Sequence, residues 1–113
     1  MSNENSVGLT EFQLSDLSHT DPTLIICDLR KKEDFAKGHI KKSILAKFDE
    51  KKLLDVPQNS KIVLVSYDDE QSKKMALALR EKNINAHYLI GGIREYTLGL
   101  YCTNISYVGT GYP

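Results

Sequence analysis

The sequence predicts an α/β fold built around a parallel sheet, because short apolar runs alternate with amphipathic stretches. Residues 24–27 and 62–65 are apolar throughout and rich in β-branched side chains, as strands buried on both faces should be. Residues 87–90 form a third, shorter candidate strand. Residues 72–82, between the last two strands, place apolar side chains at helical spacing. Such a βαβ unit makes its two strands parallel, with a right-handed crossover.

The loop at residues 66–71 is the first place to look for a functional site. It leaves the carboxyl end of the strand at 62–65 and enters the helix predicted at 72–82. Ligands of open α/β sheets collect at the carboxyl ends of parallel strands. Ser72 is expected to cap the helix, since serine is a favoured N-cap residue.

Shorter elements are predicted from the residues that begin or end them. A helix over residues 33–37 ends at Gly38, and one over residues 49–54 ends before Pro57. The other expected elements are a turn capped by Ser15 and running to His19, a helical segment at 93–98 after Gly91 and Gly92, and a final strand or surface strap in the tail at 99–113.

Length and composition favour one ordinary domain over residues 1–113, with an N-terminal segment at 1–23 and a tail at 99–113. Fifteen basic residues balance fifteen acidic ones, so net charge does not indicate a nucleic acid or a membrane as partner. No apolar run approaches the roughly 20 residues that span a bilayer. The polar N-terminus does not resemble a secretory signal, so a cytoplasmic location is expected.

Charge is nevertheless unevenly distributed along the chain. From Arg30 to Lys52, nine basic residues stand against four acidic ones, and such a stretch is most often a solvated face. Asp68, Asp69 and Glu70 form an unbalanced acidic group in the loop. Their spacing is not that of a regular metal-binding loop, and no metal or other cofactor is expected.

The two cysteines, Cys27 and Cys102, fit no metal-binding spacing and form no disulfide framework. Cys27 lies within a predicted buried strand, where cysteine usually acts as a small hydrophobic residue. Cys102 lies among polar residues of the tail and is the only thiol that suggests relocated chemistry.

Three motifs, in the right order, resemble those of the rhodanese-homology family. Asp28 and Arg30, followed by Gly-His-Ile at residues 38–40, are similar to the family's D-x-R and G-H-I run. The strand at 62–65, its loop and the helix that follows resemble the family's active-site segment. Leu-Ile-Gly-Gly-Ile at 89–93, with Tyr96 in place of the usual Trp, is similar to its final element.

Together these motifs cover roughly residues 24–98. The resemblance implies a rhodanese-like three-layer fold, in which helices flank a central, mostly parallel sheet of five strands. It also implies that Asp28 and Arg30 form a scaffold ion pair, and packing and hydrogen bonding are the expected role of His39. The residues expected to belong to the family scaffold are Asp28, Arg30, His39, Gly91 and Gly92.

Active members of the family are sulfurtransferases that carry a sulfane sulfur as a cysteine persulfide. Their cysteine opens the loop, and backbone N–H groups cradle the charged sulfur. Counting back from Ser72, that position falls on Ser66. The loop is six residues long, which resembles sulfurtransferases rather than the related phosphatases with a longer loop. It reads Ser66, Tyr67, Asp68, Asp69, Glu70 and Gln71.

A serine at this position is expected to abolish sulfur transfer, because the nucleophile is a thiolate. Activation of Ser66 would need an adjacent base, and neither His19, His39 nor His87 lies beside the loop in sequence. Asp69 replaces a glycine found in many members, so a backbone position suited to positive φ is expected to be lost or strained.

These departures lead to the hypothesis of a non-catalytic rhodanese-like domain that acts as a regulatory or protein-binding module. The alternative is a thiosulfate or persulfide sulfurtransferase, acting through Cys102 or with Ser66 in place of a native cysteine. A phosphatase-like hydrolase is disfavoured, because it needs a similar thiolate. The expected partner is a protein, which the sequence does not identify.

Overall fold

A parallel sheet organises the part of the chain that the structure describes. The structure is a computed structural model, and it describes residues 7–45 and 59–102. Its strands are β1 (Gly8–Leu9), β2 (Leu24–Asp28), β3 (Ile44–Leu45), β4 (Lys61–Val65) and β5 (Asn85–Leu89). Its helices are α1 (Glu11–Thr20), α2 (Lys32–Lys37) and α3 (Asp69–Glu81), with a 3-10 helix at Ile93–Glu95.

The described strands lie in the order β1-β5-β4-β2-β3, and each neighbouring pair is parallel. Helix α3 packs on one face of this sheet and α1 on the other. The predicted α/β fold, with a five-stranded sheet flanked by helices, is therefore confirmed.

Strand β4 forms the centre of the sheet, with β2 on one side and β5 on the other. Ile62, Val63, Leu64 and Val65 are all fully shielded from solvent. Ile62 and Leu64 join the cluster on the α3 face, whereas Val63 and Val65 join the cluster on the α1 face, since successive side chains of a strand alternate. The prediction of a buried central strand, parallel to the one that begins at Leu24, is confirmed.

Helix α3 is capped by Asp68. The Asp68 carboxylate accepts a hydrogen bond from the N–H of Glu70 (3.1 Å), and the helix begins at Asp69. The prediction that Ser72 is the cap is wrong, and residues 69–71 belong to the helix rather than to the loop. Ser72 is fully buried in the helix, and its hydroxyl has no hydrogen-bond partner among the residues that the structure describes. With 13 residues, α3 is the longest described helix, and a transmembrane helix needs about 20.

Helix α1 covers the opposite face of the sheet with Leu14 and Leu17. It begins with a capping box, in which the Gln13 N–H donates to Thr10 Oγ1 (3.1 Å) and the Thr10 N–H donates to Gln13 Oε1 (2.8 Å). The predicted turn capped by Ser15 is wrong, because Ser15 lies in the middle of this helix. With so short an apolar face, the helical period is hard to recognise in the sequence.

The remaining elements differ from the prediction mainly at their ends. Helix α2 ends before Gly38, as predicted. Strand β5 begins at Asn85, two residues earlier than predicted. The 3-10 helix ends at Glu95, so the helical segment is shorter than the predicted 93–98. The helix predicted at 49–54 lies outside the described residues.

The first part of the tail forms a strap, by which we mean residues 98–102. The His39 N–H donates to the Tyr101 carbonyl (2.9 Å), and the Tyr101 N–H donates to the His39 carbonyl (2.8 Å). This pairing is an isolated antiparallel bridge. Residues 103–113 lie outside the described residues.

Leu64→Ala is expected to lower the free energy of unfolding by about 2–5 kcal/mol, because it opens a cavity in the fully buried central strand. Leu77→Ala, on the exposed side of α3, is the matched control and should change it by less than about 0.5 kcal/mol. Urea unfolding followed by circular dichroism measures both values. Similar losses in the two variants would contradict the central position of β4.

Candidate active-site loop

The loop between β4 and α3 is held by two backbone hydrogen bonds from the segment that follows β5, and we call this contact the clamp. The Ile93 N–H donates to the Ser66 carbonyl (2.9 Å), and the Arg94 N–H donates to the Tyr67 carbonyl (2.9 Å). Just before the loop, the Leu29 N–H donates to the Val65 carbonyl (2.8 Å), which ties the end of β4 to the end of β2. The loop backbone is therefore held by both neighbouring strands of the sheet.

Gly92 allows this clamp to form. Its φ is +60°, a conformation that residues with a side chain rarely adopt. A Cβ atom at Gly92 would lie 2.5 Å from the Tyr67 carbonyl oxygen and 2.6 Å from the Ser66 carbonyl oxygen. Gly91 also has a positive φ, of +81°. The glycine pair thus lets two backbone segments approach more closely than any other residue type would permit.

Ser66 is buried at the bottom of the loop, with only 4% of its surface exposed. Its hydroxyl donates a short hydrogen bond to the backbone carbonyl of Asp68. The side chain at this position therefore faces a carbonyl oxygen, which carries partial negative charge. A hydroxyl can donate to that oxygen, whereas a thiolate in the same place would be repelled by it.

Asp68 occupies the N-terminus of α3 with its own carboxylate. The partial positive charge of a helix N-terminus and its free N–H groups favour an anion. In this chain that anion is a side chain of the protein, and Asp69 and Glu70 add two further acidic residues in the first turn. The end of the helix is thus already neutralised.

The expected strain at Asp69 is not found. Asp69 is the first residue of α3, and it is not among the described non-glycine residues that have a positive φ. The sequence predicted that a positive-φ position would be lost or strained here, and the helical Asp69 agrees with loss, because the helix begins earlier than the sequence suggested. The described residues with positive φ that are not glycine are Lys42, Asn59 and Asn83.

Tyr67 projects from the loop and links it to the segment around α2. Its side chain is 44% exposed, and the Arg30 guanidinium lies 5.2 Å from its ring centroid, within range of a cation–π contact. A hydrogen bond to Asp34 raises the pKa of Tyr67, because the carboxylate stabilises the neutral phenol. Sequence reasoning did not single out Tyr67 or Asp34 for this contact.

Arg30 and Asp28 form the predicted ion pair. Arg30 Nη2 lies 2.8 Å from Asp28 Oδ2, and Arg30 Nε lies 3.0 Å from Asp28 Oδ1, which makes the contact bidentate. Both side chains are buried. Arg30 Nη2 also donates to the Gly38 carbonyl (2.6 Å), so the pair joins the end of β2 to the end of α2.

The three histidines lie on different elements. His39 stacks on Phe35 with ring centroids 4.1 Å apart, and its Nδ1 donates to the Phe35 carbonyl (2.8 Å). This is the packing and hydrogen-bonding role that the resemblance implied. His19 lies on α1, where its Nδ1 donates to the Ser15 carbonyl (2.8 Å), and His87 lies in β5.

The two cysteines are free, and neither lies in the loop that begins at Ser66. Burial, together with the charge of Asp28, raises the pKa of Cys27 to about 12, so its thiol stays protonated near neutral pH. Cys102 is exposed on the strap, where its thiol donates to the Lys37 carbonyl (3.2 Å).

Gly92→Ala is expected to destabilise the protein by more than Gly99→Ala does. Both glycines have a positive φ, so either alanine should cost roughly 1–2 kcal/mol of backbone strain. Only the Cβ at Gly92 meets backbone atoms, whereas no atom lies within 4 Å of one at Gly99. Urea unfolding should show a larger loss for Gly92→Ala, and equal losses would show that the clamp does not depend on this close approach.

The comparisons with known proteins agree with this fold. The family model of the rhodanese-like domain matches residues 12–98. A rhodanese-like domain protein from Staphylococcus aureus has a similar structure, with a TM-score of 0.73, 23% identity, and coverage of 86% of this chain and 98% of that one. A rhodanese-related protein from Thermoplasma volcanium gives a TM-score of 0.67 at 18% identity and covers 94% of each chain.

A third similar structure, a protein from Staphylococcus saprophyticus, has a TM-score of 0.72 at 20% identity and covers 83% of this chain and 97% of that one. At such identities the likeness shows the fold alone. No curated protein matches the chain. The match to the family model spans most of the sequence, and the chain therefore belongs to the rhodanese-like domain family.

Proposed function

We propose that this chain is a non-catalytic rhodanese-like domain that acts as a regulatory or protein-binding module. The observation that carries the proposal is the hydrogen bond from the Ser66 hydroxyl to the Asp68 carbonyl. It lies where the family resemblance puts a reactive thiolate. The loop uses this position for an internal contact.

The chemistry of serine supports this proposal. Sulfur transfer needs a thiolate that attacks a donor and holds the sulfane sulfur. The Ser66 hydroxyl stays protonated near neutral pH, and its proton is directed at a backbone carbonyl. Activation of a hydroxyl needs an adjacent base. The nearest carboxylate in sequence is that of Asp68, which accepts from the Glu70 N–H as the helix cap.

The electrostatics of the loop support the same conclusion. Asp68, Asp69 and Glu70 surround the N-terminus of α3 with negative charge. At an effective dielectric constant of about 20, two like charges about 4 Å apart repel by about 4 kcal/mol, and solvent reduces this value. A dianionic donor such as thiosulfate would therefore approach a surface that repels it.

The same loop is well suited to binding a protein. Its backbone is fixed by the hydrogen bonds from the N–H groups of Ile93 and Arg94, and the Tyr67 ring is fixed against Arg30. A rigid surface loses little conformational entropy when a partner binds. Tyrosine is also enriched at protein interfaces. The partner is proposed to be a protein, with no cofactor.

A cytoplasmic location is part of the proposal. Cys102 is an exposed, unpaired thiol, and unpaired thiols are typical of reducing compartments.

The alternative function is sulfur transfer, either through Cys102 or with Ser66 in place of a native cysteine. The exposure of Cys102 favours the first version, since a reactive thiol must be accessible. Cys102 nevertheless lies on the strap, where its thiol donates to the Lys37 carbonyl, and not in the loop that precedes α3.

The protein is expected to lack thiosulfate sulfurtransferase activity, because the loop has Ser66 where sulfur transfer needs a thiol. The measurement is thiocyanate production from thiosulfate and cyanide, compared with a reaction that contains no protein. Production well above that control would contradict the proposal. If Cys102→Ala then abolished it, the chemistry would be assigned to Cys102.

Ser66→Cys is expected to restore little activity and to take up little sulfur from thiosulfate. The new thiol would face the Asp68 carbonyl and the acidic first turn of α3, which should raise its pKa above the ordinary value of about 8.5. Alkylation by iodoacetamide as a function of pH measures that pKa, and intact mass measures the gain of one sulfur.

Adding Asp68→Asn and Glu70→Gln to Ser66→Cys provides the matched comparison. Asparagine can still cap the helix, so the fold should be retained while two negative charges are removed. The triple variant should have a lower thiol pKa and higher activity. Strong activity in Ser66→Cys alone would identify the chain as a working sulfurtransferase that carries one substitution.

A further inference from the structure

A groove runs along α1 on the face of the sheet opposite to α3. It consists of two adjoining cavities of about 140 Å³ and about 270 Å³, both lined by Ser18, His19 and Ile26. One wall is α1, and the wall facing it across the smaller cavity is the strap. Leu14 and Ile40 contribute apolar surface to the smaller cavity. The groove thus has an apolar floor and spans two adjoining cavities.

Large apolar side chains are exposed along the rim of this groove. Leu98 and Tyr101, on the strap, are 43% and 52% exposed. Phe12 is 64% exposed on α1, and it lies three residues before Ser15, which lines the groove. Residues three apart on a helix share a face, so Phe12 extends the same apolar surface.

Thr97, which immediately precedes the strap, is fixed to α1, so this surface is preformed. The Thr97 N–H and hydroxyl both donate to Glu11 Oε1, at 2.7 Å and 2.9 Å. Farther along, the strap pairs with His39 through two backbone hydrogen bonds. Apolar side chains grouped on a monomer surface are typical of an interaction site.

The charges that line the groove are mainly positive. Lys41 lines the smaller cavity and Lys42 the larger one. Lys42 Nζ is held in the wall by the Ser18 carbonyl (3.1 Å). Asp21 also lines the larger cavity, but Lys61 Nζ lies 3.9 Å from its carboxylate, so this negative charge is offset by a further lysine. Acidic groups would therefore complement this surface.

We propose that this groove binds a segment of a protein partner that carries apolar side chains flanked by Asp or Glu. The inference deepens the proposed function, on which it rests, by giving the partner a docking surface and a chemical character. Apolar side chains of the segment fill the two cavities, and its carboxylates pair with Lys41 and Lys42. Complementary charge of this kind also directs the approach of the partner.

The test is selection from a library of random twelve-residue peptides, displayed on phage, against the full chain. Peptides rich in Leu or aromatic residues and in Asp or Glu are expected. Fluorescence polarisation of a labelled peptide then measures the Kd for four variants. Leu98→Asp and Lys41→Glu should each weaken binding by about tenfold or more.

The controls make the same changes on α3, at exposed positions of the opposite face. Leu77→Asp matches Leu98→Asp, since Leu77 is 44% exposed. Lys74→Glu matches Lys41→Glu in charge. Both controls should bind the peptide as the unchanged protein does.

Several outcomes would overturn the inference. These are selection of no peptides, selection of basic ones, or equal loss of binding in the α3 controls. A dimer in sedimentation that Leu98→Asp dissociates would assign the groove to a second copy of the chain instead. Competition by a synthetic peptide of residues 103–113 would assign it to the chain's own tail. Peptide binding is measured without sulfur transfer, so failure of this inference and failure of the non-catalytic proposal are seen separately.

Discussion

The parallel pairing around β4 is the constraint on which the rest of the structure depends. In a parallel sheet all carboxyl ends lie at one edge, so segments distant in sequence meet there. Asp28 at the end of β2, Ser66 after β4 and Gly92 after β5 are brought together in this way. The three motifs that identify the family in the sequence are therefore neighbours in space, joined by backbone hydrogen bonds across the loop.

Two side chains of the loop at that edge find hydrogen-bond partners within the loop and the start of α3. The Ser66 hydroxyl donates to the Asp68 carbonyl, and the Asp68 carboxylate accepts from the helix that it caps. A net contribution of about 1 kcal/mol is typical of each such contact. An anion-binding loop would instead leave its N–H groups and helix N-terminus open to a ligand. Here a bound anion would compete with the Asp68 carboxylate for the N-terminus of α3, where that carboxylate already accepts from the Glu70 N–H.

The sequence predicted the parts of the fold whose signals are local. Strand β4 was recognisable because its residues are apolar throughout, and the ion pair of Asp28 and Arg30 because both belong to one short motif. The start of α3 was misplaced, since Ser72 and Asp68 are both favourable caps and only the backbone decides between them. Helix α1 was missed because its apolar face is so short.

Contacts that depend on the folded chain were beyond the reach of sequence reasoning. Tyr67 meets Arg30 and Asp34 only because the turn after β4 passes over the end of β2. The groove beside α1 likewise requires the strap to return to His39. Neither arrangement has a periodic pattern in the sequence, since Tyr67 and Arg30 lie in bends and the strap is irregular.

The internal contacts of the loop also bear on Ser66, which stands where the family resemblance implies a thiolate. A single replacement of cysteine by serine would account for Ser66 but not for the rest of the loop. The Asp68 carboxylate sets the start of α3, and the Asp68 carbonyl lies where it accepts from a hydroxyl. Asp69 and Glu70 add negative charge that a thiolate site would disfavour. Under the non-catalytic proposal these features belong together, because a loop adapted to serine would account for all of them, whereas one exchanged atom would account only for the first.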